Sequence, residues 1–217
     1  MSNSLYPKYM KKNYLITVLV LFIVVLAFNK FTEPQEEVPS ADLMRNGTYT
    51  INDEMRRRVT LDDFGGIQYE FRTEPNGYIL VEQGLVEGDD ADLQKIYVLM
   101  LEKDYAEFTD STEPREGPPA ITMYIFENSQ IMFPLQWAQN HAIYSNINTA
   151  ALDVAEVTVG GANTIRYTAD GLYMTDNVVV AHGGYVYVIS GAHLANNDVY
   201  QQGFENLVKS IKFVATP

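Results

Sequence analysis

Six residues, Glu87-Gly88-Asp89-Asp90-Ala91-Asp92, place four carboxylates beside a glycine. Hard cations such as Ca²⁺ take six to eight oxygens, often from a flexible loop, so Glu87, Asp89, Asp90 and Asp92 are the metal candidates of this chain. The run lacks the regular D-x-[DN]-x-[DN]-G spacing and the distal bidentate Glu, and a solvated acidic loop fits it as well. The histidines are His141, His182 and His193, and no two stand three or four residues apart as a helical zinc site requires. They read as surface or strand-end residues. Ser190-Gly191 next to His193 suggests a nucleophile, yet no G-x-S-x-G elbow accompanies it. No catalytic residue is assigned.

Arg56-Arg57-Arg58 is the basic cluster of a chain with a net charge of −13, which argues against nucleic acid as a partner. Asp53-Glu54 or Asp62-Asp63 are the acids expected to pair with it. The 15 tyrosines offer contact area with a polar tip, but alternation puts many of them in or beside the core.

The elements that must hold these residues are mainly strands. Ile67–Arg72 and Tyr78–Glu82 flank the turn residues Glu74-Pro75-Asn76-Gly77 and predict a hairpin. Lys95–Glu102 and Ala120–Glu127 are strands of nearly continuous apolar character, with a short helix over Lys103–Thr109 between them. Pro134 opens a helix at its first position, where a missing donor is harmless, and Trp137 on it is a core residue. From Val154 to Gly191 the chain reads as a meander broken at Gly160-Gly161, Asp170-Gly171 and Gly183-Gly184. Asn197-Asp198 caps a last helix whose Tyr200, Phe204, Leu207, Val208 and Ile211 recur at helical spacing. Gly203 within it implies close approach of a neighbour. The fold class is α+β, a mainly antiparallel sheet flanked by helices.

Ahead of this domain lies an address. Tyr14–Phe28 is an unbroken apolar run preceded by Lys8, Lys11 and Lys12. The first 30 residues carry four lysines and no acid; the remainder carry 11 Lys and Arg against 28 Asp and Glu, a net of −17. Lysines before an apolar run stay on the cytoplasmic side, so the rest is expected outside, as a single-pass membrane protein. The organisation expected is a cytoplasmic N-terminus (1–13), a transmembrane signal-anchor (14–30), a flexible acidic stalk (31–44) and an extracytoplasmic domain (45–217). At about 1.5 Å per residue the apolar run is short for a hydrocarbon core of about 30 Å. Val25-Leu26-Ala27 also fits cleavage before Phe28, which would give a secreted protein. With no cysteine in the chain, a lipidated N-terminal Cys and all disulfides are excluded.

The stretch Ala120–Val214 resembles the PsbP-like domains, named for an extrinsic subunit of the photosynthetic oxygen-evolving complex and shared by bacterial proteins. The resemblance is carried by ITMYIFEN, the Trp137 helix, Val157-Thr158-Val159-Gly160-Gly161, Arg166-Tyr167, Tyr173, Val178–Val180, Gly184–Ile189 and the terminal FENLVKSIKF. It implies a central antiparallel sheet between helices and a binding or assembly role without catalysis. The partner expected is another envelope protein or a small ligand, and no cofactor is assigned beyond the Ca²⁺ that the acidic loop could take. The alternative function is a cell-envelope metal-assisted hydrolase using Asp89, Asp90 and Asp92.

Overall fold

The structure is a computed structural model and describes residues 48–52, 56–73, 77–86, 89–111, 116–151 and 153–214. The predicted cytoplasmic segment, anchor and stalk lie outside these residues. Among the described residues no helix is long and apolar enough to cross a membrane.

Seven strands form the main sheet: β4 (Tyr78–Gln83), β5 (Leu93–Leu101), β6 (Ile121–Glu127), β7 (Ala155–Val159), β8 (Ala162–Ala169), β9 (Met174–His182) and β10 (Tyr185–His193). Their order is β4-β5-β6-β10-β9-β8-β7, with every neighbouring pair antiparallel. The predicted meander is β7 to β10. Two of its breaks are tight turns with positive φ at Gly160, Gly161, Gly183 and Gly184, a conformation that glycine enters without a Cβ clash. A second sheet holds β1 (Thr48–Asn52), β2 (Arg56–Leu61), β3 (Ile67–Arg72) and β11 (Lys212–Phe213) in the order β1-β2-β3-β11.

The predicted hairpin of Ile67–Arg72 with Tyr78–Glu82 does not form. Its two strands belong to different sheets: β3 pairs with β2 and β11, while β4 pairs with β5. Cross-strand chemistry supports this arrangement, since Arg58 Nε donates to Glu70 Oε1 at 2.7 Å across β2–β3, and Lys95 pairs with Glu82 across β4–β5. Arg58 thus takes its acid from β3 rather than from Asp62-Asp63.

Alternation assigns the two faces of the main sheet to two cores. On one face Tyr97, Leu99, Met123, Ile125, Val178, Val180, Tyr187 and Ile189 meet Ile67, Tyr69 and Phe71 of the small sheet. The same core takes Phe204, Leu207, Val208 and Ile211 from α4 (Val199–Ser210) and the residue after it. On the other face Phe126, Ile165, Tyr167, Val179, Val186 and Val188 pack against Trp137 and Ala138 of α2 (Pro134–Asn140). A short α3 (Ala142–Ser145) follows α2, and α1 (Glu102–Thr109) follows β5, as the sequence predicts. Trp137 is fully buried, with Phe126 at 4.8 Å and the His141 ring stacked at 4.1 Å between centroids.

Gly203 meets the close neighbour expected of it. A Cβ at this position would stand 2.0 Å from Tyr78 Oη, so the β4 tyrosine occupies the space that any other helix residue would need.

Candidate functional site

The described part of the acidic loop is braced by its own carboxylates. Glu87 lies outside the described residues. Asp89 Oδ2 accepts from Val86 N at 2.8 Å, and Asp90 Oδ1 accepts from Asp92 N at 2.9 Å, so both carboxylates brace the turn itself. Asp92 contributes its backbone carbonyl, which accepts from Glu127 N at 2.8 Å and ties the loop to β6. Asp90 Oδ2 stands 3.9 Å from His141 Nε2, a contact that spacing along the chain does not reveal. Among the described residues no group of three or more His, Asp or Glu is placed to hold a metal ion.

A polar cluster that the sequence reading missed lies under α4. Thr168 of β8 and Asp176 of β9 are register partners, and alternation turns both toward the α4 face. Asp176 is 4 % exposed; its Oδ1 accepts from Thr168 Oγ1 at 2.8 Å and its Oδ2 from Gln201 Nε2 of α4 at 2.7 Å. Arg166 Nη2 stands 3.9 Å from Asp176 Oδ2, and its guanidinium is paired with Glu205 one turn further along α4. His193, expected at the surface or a strand end, is the last residue of β10 and only 2 % exposed, with Nε2 3.8 Å from Asp176 Oδ2. That separation is too long for a hydrogen bond, and neither ring nitrogen has a hydrogen-bond partner among the described residues.

Asp198 closes this end of the helix. Its Oδ1 accepts from Gln201 N at 2.8 Å as an N-cap, and its Oδ2 accepts from the backbone N–H groups of Leu194 and Ala195. Partial burial opposes ionisation of this carboxyl, but the three N–H groups and nearby His193 outweigh it and hold the pKa below the ordinary value.

Acid–base chemistry needs a nucleophile or substrate in reach of such a pair, and the sheet denies the one the sequence suggested. Ser190 and His193 are three residues apart on β10, so they point to opposite faces. Ser190 Oγ donates to Asn177 Oδ1 at 2.6 Å on the far side. With both Asp176 oxygens engaged, the cluster pins α4 to β8 and β9. Nor does a deep cleft open onto it. The two best-formed concavities among the described residues are open grooves of about 260 and 250 Å³. Ordinary ligand clefts enclose about 300–1,000 Å³.

The opposite layer carries a different feature. Between Glu127 and Asp153 the sequence has no Asp, Glu, Lys or Arg, although 20 % of the chain is charged and about five charges would be expected there. This uncharged stretch supplies the turn after β6, then α2 and α3. Pro134, Trp137 and Ala138 are its buried side, while Ile131 at 83 %, Phe133 at 72 % and Ile143 at 75 % exposure stand outward. Leu135, Gln136, Gln139 and Asn140 are exposed between them.

The turn that displays Ile131 is built for the purpose. Asn128 is buried and brackets Met132, accepting from its N–H at 2.9 Å and donating Nδ2 to its carbonyl at 3.0 Å. Its own carbonyl accepts from Ile131 N at 3.0 Å. The result is φ = +52° at Ile131, left-handed backbone that a β-branched residue adopts only under strain. An apolar side chain held outward in a disfavoured conformation marks this face as the candidate docking site.

No family model matches the chain, and no curated protein matches it. Among solved structures it is similar to the solution structure of cyanobacterial PsbP from Synechocystis sp. PCC 6803, at 11 % identity and a TM-score of 0.49 over 76 % of this chain and 95 % of that one, a structure bearing the name of the resemblance read from the sequence.

Proposed function

We propose that this protein is an extracytoplasmic binding or assembly domain, anchored by residues 14–30 and without chemistry of its own, that docks through the α2–α3 layer. The observation that carries the reading is the stretch between Glu127 and Asp153, which has no charged residue of its own and exposes Ile131, Phe133 and Ile143, with Asp90 of the acidic loop at its His141 edge. Exposed large apolar residues on a charge-depleted patch are what contact surfaces need, because burying them releases water and strands no charge. The anchor is supported by the lysines before Tyr14–Phe28 and the reversal of charge after residue 30.

The chain has no cysteine, so single cysteines report on single positions. Cysteine at 133 or 143 should react with a maleimide more slowly in intact membranes than in detergent. Cysteine at Leu172 or Leu194, both exposed elsewhere, should react equally in the two. Equal reactivity at all four positions would sink the docking reading. A mature chain beginning at Phe28 would remove the anchor and leave a secreted binding protein.

A further inference from the structure

We infer that the surface received by the α2–α3 layer is that of a zwitterionic lipid bilayer, with Phe133, Ile131 and Ile143 entering the headgroup boundary. This rests on the docking reading above and names its partner.

Charge is the first argument. After residue 30 the chain carries a net −17, so an anionic surface repels it as a whole. Residues 128–152 are the longest stretch after residue 30 without Asp, Glu, Lys or Arg, ahead of 177–197, and bring no carboxylate of their own against the phosphates of a neutral bilayer. Exposed Gln136, Gln139 and Asn140 supply amides, which hydrogen-bond in the headgroup zone and carry no charge into it.

Shape is the second. Ile131 and Phe133 stand on a turn and Ile143 on a short helix, each mostly exposed, and neither of the two best-formed grooves includes any residue from 128 to 151. Protruding apolar side chains need a matching recess in a rigid partner, whereas the bilayer boundary deforms around them.

Reach is the third. The apolar run of Tyr14–Phe28 is the part of the sequence suited to hydrocarbon, and 17 residues separate Lys30 from Thr48. At most about 3.6 Å per residue, they span up to roughly 60 Å, enough to let this face turn to the surface. Tethering raises the local concentration of the face at that surface, so a weak contact suffices.

The test uses the full chain reconstituted into phosphatidylcholine vesicles, with an environment-sensitive fluorophore on single cysteines at 133, 143, 172 or 194. The expected result is a blue shift at 133 and 143, quenched by lipids carrying a shallow spin label, with none at 172 and 194. Phe133→Asp with the label at 143 should lower the docked fraction on the order of tenfold, and anionic lipid should lower it further. Phe133 is exposed, so neither change touches the core. Absence of the shift in protein-free vesicles overturns the inference. If maleimide protection in native membranes then persists, the docking reading stands with a protein partner. A shift that appears in detergent and grows with protein concentration identifies a second copy and also overturns it. Loss of both signals removes both readings.

Discussion

Replacing Ile131 with glycine separates display from packing, because packing predicts a large loss of stability and display predicts little change or a gain. The left-handed conformation at φ = +52° costs a branched residue about 1–2 kcal/mol relative to glycine. Against this relief stands the entropy that glycine adds to the unfolded chain, about 0.5–1 kcal/mol. Full burial of an isoleucine is worth about 1.5–3 kcal/mol, but Ile131 is 83 % exposed, so only about 0.5 kcal/mol or less is lost with its side chain. The balance lies between about −0.5 and +1.5 kcal/mol. For a domain of this size that lowers the melting temperature by no more than about 2 °C and raises it by up to about 6 °C. Docking, followed by maleimide protection at residue 143, should weaken on the order of tenfold. Thermal unfolding by circular dichroism and the protection assay on the same preparation check both. A fall of more than about 5 °C would mean that Ile131 is packed like a core residue, whose truncation costs about 2–5 kcal/mol, and the display argument would be refuted. Unchanged protection would mean that the strained turn serves some other purpose.

Gly203→Ala reverses the usual helix rule. Alanine gains about 1 kcal/mol in propensity, but its Cβ would lie 2.0 Å from Tyr78 Oη against a buried ring, an overpacking that costs about 1–3 kcal/mol, so a net loss of up to about 2 kcal/mol and a lower melting temperature are expected. Burial pushes the hydroxyls of Tyr78 and Tyr167 up to about 12, with Asp198 and Asp104 adding to the shift at Tyr78 and a side-chain hydrogen bond with Ser145 opposing it at Tyr167. Each therefore stabilises the fold fully below pH 10 and progressively less as pH rises toward 12, by about 1.4 kcal/mol per pH unit per residue. Ultraviolet titration should show these two ionising late, and urea midpoints should fall over that interval. Midpoints flat from pH 10 to 12 would contradict the burial argument. Calorimetry with Ca²⁺ on the full chain in detergent should show no saturable heat, because Asp89 and Asp90 each commit an oxygen to the loop's own N–H groups. A saturable heat abolished by Asp90→Asn would restore the acidic-loop reading.

The meander was legible because its signals are local: alternation within each strand and Gly-Gly pairs at two of its turns. The N-cap signal of the last helix was local too, and Asp198 fills its predicted role. The β3–β4 hairpin was misread for the same reason. Glu74-Pro75-Asn76-Gly77 announces a change of direction but says nothing about which sheet receives the next strand. That choice is made by non-local partners, Arg57-Arg58 with Phe71-Glu70 on one side and Glu82 with Tyr97 on the other. The Asp176 cluster depends on register still more strictly. Asp176 faces Gly191, and His193 lies two residues beyond on the same face, so a slip of one residue in β9–β10 would send Asp176 to the Trp137 side.

The docking face occupies an intermediate position between these cases. Its absence of charge is written in the sequence between Glu127 and Asp153, yet an uncharged stretch rich in Ile, Phe, Leu and Trp is equally the composition of a buried helix. Helical spacing resolves part of the ambiguity. Pro134, Trp137 and Ala138 fall at i, i+3 and i+4 and fill the contact with the sheet, which leaves Leu135 on the outer side of the same helix. Ile131 and Phe133 precede the helix and obey no such period, so their orientation is set by Asn128 and its hydrogen bonds to Met132. A buried side chain that spends both its donor and its acceptor on a turn carrying exposed apolar residues stabilises the presentation rather than the core. Asn128 is for that reason the residue whose loss should abolish docking while leaving Phe133 and Ile143 in the chain.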